Sequence, residues 1–151
     1  MNTSTWIAAV LTLAALLMGT TFAHVLEMPA KFKADSQHWV SYQNTLYRAF
    51  ASVGGVLEIA AILGAAGLAW MLRGSGLAFL LAFFAALMLA IAFFGVWIFV
   101  TNPVNRRVAA WSEADAPQDW QHWRTQWEFS HAARFAMHLL AFVAMLFALL
   151  I

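Results

Sequence analysis

The sequence contains no cysteine. That excludes disulfides, thiolate nucleophiles, thiolate metal sites and covalently attached c-type haem, so any bound metal must use imidazole and oxygen ligands. Charge is scarce too. Of 151 residues, 10% are Asp, Glu, Lys or Arg and 64% are hydrophobic. A soluble domain of this length needs far more polar surface, whereas a bundle solvated by lipid does not. With a net charge of +1 there is no basic field for nucleic acid.

What is present is four apolar stretches, each of about twenty residues and long enough to span a bilayer as a helix. The first runs from Trp6 to Leu26. Thr21-Phe22-Ala23 resembles a signal-peptide cleavage site, but Met1 to Thr5 carries no basic residue and the run exceeds a usual signal core, so it reads as a retained helix. The second spans Phe50 to Leu72 and ends in the turn chemistry of Arg73-Gly74-Ser75-Gly76. The third, Leu77 to Thr101, follows at once, and the pair forms an antiparallel hairpin. The fourth runs from Trp127 to Ile151. The fold expected is all-α: one integral membrane domain over residues 1–151, a four-helix bundle with two long, partly helical loops on one face.

Those loops are residues 27–49 and 102–126. In the second, Asn102 suits a helix cap, Pro103 a first helical position, and Pro117 opens a helix running on into span four. The long-loop side holds Lys31, Lys33, Arg48, Arg106, Arg107 and Arg124, the other side only Arg73. Basic residues favour the cytoplasm, which puts the long loops inside and both termini outside a bacterial plasma membrane. Trp39, Trp111, Trp120, Trp123 and Trp127 cluster near the loops, some of them as an interfacial belt.

The rare ionisable residues are not scattered. Trp120, Arg124, Trp127, His131, Arg134 and His138 recur at spacings of 4, 3, 4, 3 and 4 and fall on one helical stripe. Span one carries Thr20, His24, Glu27 and Lys31 on one face; span two carries Asn44, Tyr47, Ala51, Gly54 and Glu58; span three carries Phe94, Trp97, Thr101 and Asn105. At 1.5 Å per residue, Glu58 and His138 lie roughly 20 Å above the short-turn face and His24 and His131 roughly 27–30 Å, with Glu27 and Glu128 near the far interface. A charged side chain facing lipid at mid-depth costs about 2.5–3.5 kcal/mol even on a lenient scale. These groups should therefore face one internal cavity that opens toward the long loops and is closed by apolar residues at the other end.

His24-Val-Leu-Glu27 and Glu128-Phe-Ser-His131 are two i, i+3 pairs on different helices, each able to offer an imidazole and a carboxylate to one point. With Glu58 and His138 they make a candidate set for iron, copper, manganese or zinc. His24 and His131 at similar height also allow a bis-histidine haem b. The plain alternative is a buried ion pair of Arg134 with Glu58 or Glu128, the histidines satisfied by hydrogen bonds. His38 and His122 read as solvated loop residues, and Gly54-Gly55 as helix packing.

From Asn102-Pro103-Val104-Asn105 through Trp111, Asp119-Trp120, Arg124, Trp127, His131 and Arg134, the chain resembles the anthrone-oxygenase-like family of small four-helix membrane proteins. The resemblance covers nearly the whole chain and matches His131, Arg134 and Asn105 as pattern positions. It implies the fold and, from fungal relatives, oxygenation of anthrones to anthraquinones. On that reading an aromatic ring sits between Trp97, Phe94 and Trp127. A metal or a histidine base activates it, and Arg134 or Arg124 stabilises the developing phenolate. A cofactor-free variant is open, because an easily deprotonated anthrone reacts with oxygen directly. Two other classes stay beside this one: a non-enzymatic metal or haem carrier, and a proton or small-molecule pathway through Glu58, His138 and Glu27. The expected partners are the bilayer and a lipophilic small molecule.

Overall fold

The computed structural model describes residues 3–151, and at positions 3, 4, 48, 49, 51 and 52 the backbone alone. Met1 and the side chains of Arg48 and Ala51, on which expectations above rest, lie outside the described residues. Helices make up most of the described residues: α1 (Thr3–Lys31), α2 (Ser36–Thr45), α3 (Arg48–Met71), α4 (Leu77–Ala90), a π-helical segment (Ile91–Thr101), α5 (Asn102–Val108) and α6 (Trp120–Leu150). Among the described residues four stretches are long and apolar enough to cross a membrane: Thr5–Lys31, Val53–Met71, Leu77–Val108 and Trp120–Leu150. The all-α membrane bundle expected from the sequence is the fold observed, and contact with the lipid bilayer follows from it.

The third span departs from expectation. It does not stop at Thr101 with Asn102 as a cap, because Asn102 has helical angles (φ −63°, ψ −37°) and the helix runs on to Val108. Pro103 falls in the first turn of α5, where a missing N–H does little harm. Between Ile91 and Thr101 the backbone bonds follow the wider i→i+5 pattern, which changes the face each residue presents. Pro117 precedes α6 by one turn, its carbonyl accepting the Trp120 N–H at 3.1 Å. The short turn between α3 and α4 closes at Gly76, whose φ of 51° suits a residue without Cβ.

Two apolar clusters bracket the bundle. Near the short turn, alanines dominate: Ala14, Ala61, Ala65, Ala82, Ala85, Ala141 and Ala144 pack with Val10, Leu17, Leu68, Leu89 and Met145. Small residues let the spans approach closely where lipid supplies no hydrophobic drive of its own. On α3, a Cβ at Gly64 would come 2.9 Å from a Val10 methyl, and one at Gly67 2.7 Å from the Trp6 ring. At the long-loop end, Trp39, Val40, Val104, Val108 and Trp127 form a second core with Trp111, Trp120 and Trp123 around it. Trp39 and Trp127 are thus interior residues of a cap rather than members of an interfacial belt. The cap is built by α2, which Asp35 starts by accepting the His38 N–H at 2.9 Å.

Candidate functional site

The polar residues lie between these two cores. On α6 the stripe turns inward as its spacing requires: Arg124, Trp127, His131, Arg134 and His138 are all buried. Beside it a cavity of about 780 Å³ runs between α1, α3, the π segment and α6, within the range of small-molecule sites. His24, Glu58, His131 and Arg134 line its polar part. Leu17 and Leu57 line its apolar part, beyond which the alanine-rich core fills the bundle.

The deep group centres on Glu58, which is 1% exposed. Its Oε1 accepts from the Arg134 guanidinium and lies 3.3 Å from His138 Nε2. The other nitrogen of His138 is 3.2 Å from the Thr21 hydroxyl. Three spans are tied together at one carboxylate.

The upper group centres on Lys31. Its ammonium is 2.9 Å from Glu27, 3.6 Å from Glu128 and 3.3 Å from His24 Nδ1. It also sits over the rings of Tyr47 and Trp127, at 4.5 and 4.7 Å from their centroids. The Tyr47 hydroxyl donates to Glu27 at 2.5 Å, and Trp39 Nε1 donates to Glu128 at 3.4 Å. Burial pushes the Tyr47 hydroxyl well above the ordinary tyrosine range, and the Glu27 carboxylate it bonds pushes it the same way.

Between the two groups, the His24 and His131 rings touch, with centroids 4.2 Å apart. Trp127 packs on both, 5.0 Å from His24 and 4.2 Å from His131. Asn105 Oδ1 accepts the Trp127 indole N–H at 2.7 Å and so fixes that ring. His131 is buried, lines the cavity, and its Nδ1 has no hydrogen-bond partner among the described residues.

The sequence-predicted residues are brought to one region but not to one point. Among the described residues no three His, Asp or Glu side chains gather as a metal-ligand set. The physical reason is the placement of the cations. Glu27 and Glu128 both turn to Lys31, and Glu58 turns to Arg134, so each carboxylate is neutralised by an organic cation where a metal would need it free. The bis-histidine haem does not fit either. The centroids of the His24 and His131 rings are 4.2 Å apart, so the two imidazoles leave no room for an iron between them.

Three further placements differ from expectation. Arg124 does not reach the cavity; it donates to the carbonyls of Lys31 (3.0 Å) and Ala34 (2.9 Å) and caps the end of α1. Phe94 is 47% exposed and points away, while Phe93 lines the cavity and stacks on Trp97 at 5.1 Å and 7°. Gly54 and Gly55 line the cavity, and a Cβ on either would meet nothing within 4 Å; the packing glycines are Gly64 and Gly67. Phe93 and Gln43, both cavity-lining, were not singled out from the sequence. A π stretch leaves no sequence signature, and a lone Gln in a loop carries no periodic signal. His38 and His122 are exposed, His38 pairing with Asp35 at 2.7 Å.

Comparison with curated proteins and with solved structures gave no match. A family model described as anthrone oxygenase matches residues 42–144. That stretch takes in α3, the π segment, Asn105 and the α6 stripe through His138, which is the greater part of the cavity wall. This membrane-spanning chain therefore belongs to the anthrone oxygenase family.

Proposed function

We propose that the chain is a cofactor-independent membrane oxygenase that converts a lipophilic anthrone-like aromatic to its quinone inside this cavity. The observation that carries the reading is His131: an imidazole that lines the cavity, held against His24 and Trp127, with Arg134 one turn further along α6 lining the same cavity. His131 takes a proton from the ring methylene of the substrate. The electron pair delocalises onto the substrate's carbonyl oxygen, where Arg134 faces it. The carbanion gives its electrons to molecular oxygen with formation of a carbon–oxygen bond, and protonation yields a hydroperoxide. Loss of water then leaves a second carbonyl, so the methylene and one O₂ become a ketone and one H₂O. Phe93, Trp97 and Trp127 supply aromatic walls for the planar substrate.

The donor set supports this reading over a metal-dependent one, because Lys31 and Arg134 occupy the carboxylates that a metal would use. The cavity's apolar floor supports a pocket over a proton pathway. Exposed Lys33, Arg106 and Arg107 on the long-loop side, against Arg73 on the other, favour long loops in the cytoplasm of a bacterial plasma membrane. Lys31 and Arg124 are consumed by the site and carry no weight there.

The test is anthrone oxidation by purified protein in liposomes, followed by quinone absorbance and oxygen uptake. One O₂ per quinone is expected, unaffected by chelators, with His131→Ala lowering the rate by about 10²–10⁴-fold. Turnover that tracks bound metal and disappears with a chelator would overturn the reading.

A further inference from the structure

One side of the cavity is not walled by a neighbouring helix. α3 packs along α4 and against α1, whereas the principal neighbours of the π segment are α6, α5 and α4. The N-terminal half of α3 and the π segment therefore diverge. Phe50, Val53, Gly54 and Gly55 line the cavity on one edge of that gap, and Phe93 and Trp97 on the other. Val53 is 62% exposed although it lines the cavity, so it stands at a rim and not on a closed wall.

Two further observations place this rim against lipid. Gly55 also belongs to an apolar groove on the outer surface, with Val56, Ile59, Ala60 and Leu63, so cavity and outer surface meet at the Gly54-Gly55 step. A side chain at either glycine would stand in open space. By helical rise, Val53 and Gly55 lie about 27 and 24 Å above Met71, inside a hydrocarbon layer about 30 Å thick. The gap opens among acyl chains, below the headgroups of the long-loop leaflet.

We propose that the cavity opens sideways into the bilayer through a slot between Gly54-Gly55 and Phe93-Trp97, and that its planar aromatic ligand enters from the acyl chains. The ligand's identity rests on the function proposed above; the slot does not. A lipophilic substrate is concentrated in the leaflet, and a lateral entrance delivers it without crossing the Trp39 cap. Molecular oxygen, also richer in hydrocarbon than in water, has the same route.

Because the chain has no cysteine, a single Cys can be spin-labelled without background. Labels at Gly54→Cys and, independently, Val53→Cys are examined in phosphatidylcholine liposomes by power saturation with oxygen and with a water-soluble nickel chelate. Leu63→Cys on the outer groove serves as the lipid reference and exposed Glu113→Cys in the long loop as the water reference. The slot predicts that both test labels behave like Leu63, with oxygen accessibility several-fold above that to nickel. Labels that behave like Glu113, or that neither reagent reaches, overturn it. Lipid-facing labels on a protein that does not oxidise anthrone leave the slot standing and sink the function; water-facing labels on an active protein do the reverse.

Discussion

Lys31 of the first span and Glu128 of the last face each other at 3.6 Å, with 3% and none of their side chains exposed. Removing one partner strands a buried charge, whereas removing both with apolar replacements need not. Lys31→Met should lower stability by about 3–5 kcal/mol, and Lys31→Met/Glu128→Leu should recover most of the loss. Thermal unfolding in detergent checks both. A double variant as weak as the single one would show that the ammonium's value lies with Glu27 and His24 instead.

Four glycines of α3 should respond with opposite signs. At Gly64 and Gly67 a methyl collides with Val10 and Trp6, and overpacking of this kind costs about 1–3 kcal/mol. At Gly54 and Gly55 the methyl meets nothing, so Ala should stabilise the helix by up to about 1 kcal/mol. The ordering of the four Ala variants in a denaturant titration decides the matter.

Asp35 carries a pH dependence confined to α2. Its hydrogen bonds to the His38 backbone and side chain hold its carboxyl below the ordinary value of 3.8. A group with a depressed folded pKa stabilises above its unfolded value and loses that contribution as pH falls through the folded one. Amide exchange in α2 should therefore accelerate below about pH 4 before the spans respond, and Asp35→Ala should show the fast exchange at neutral pH. Equal exchange in wild type and variant would remove the cap from the account.

Tyr47 should resist ionisation. In a Tyr42→Phe protein it is the sole tyrosine, and its absorbance at the phenolate wavelength should not rise at a pH where a free tyrosine, near 10, is half ionised. The sign follows from the raised value: with Glu27 ionised, the bond contributes below about pH 10 and is lost as pH climbs toward the folded pKa. Glu27→Gln removes one of the causes and should bring the titration down.

Much of this was legible from periodicity. The α6 stripe, the four spans and the placement of His24, Glu58, His131 and His138 in one band toward the long-loop end follow from 3.6-residue spacing and the cost of charge in lipid, and the structure contains them. What failed did so where a side chain's partner, not its position, decides the chemistry. Lys31 stood on the stripe with His24 and Glu27, yet its sequence context could not say that it bends inward and takes both nearby carboxylates. α-Helical spacing points to Phe94, but the turns of this segment are wider and bring Phe93 to the cavity instead. Trp39 looks like an interfacial residue until α2 folds over the bundle and buries it.

Most links across the polar layer share one property. Glu58 finds Arg134 and His138, Lys31 finds Glu128, His24 finds His131, and Thr21 finds His138, and every one of those partners lies on α6, after the other three spans in the chain. Until α6 packs against the other three spans, Glu58 lacks Arg134 and His138, at an energetic cost that only the arrival of α6 relieves. Packing of α6 and assembly of the polar cavity are thus a single event, and a chain truncated before Trp120 should be degraded by membrane quality control rather than accumulate as a three-span bundle.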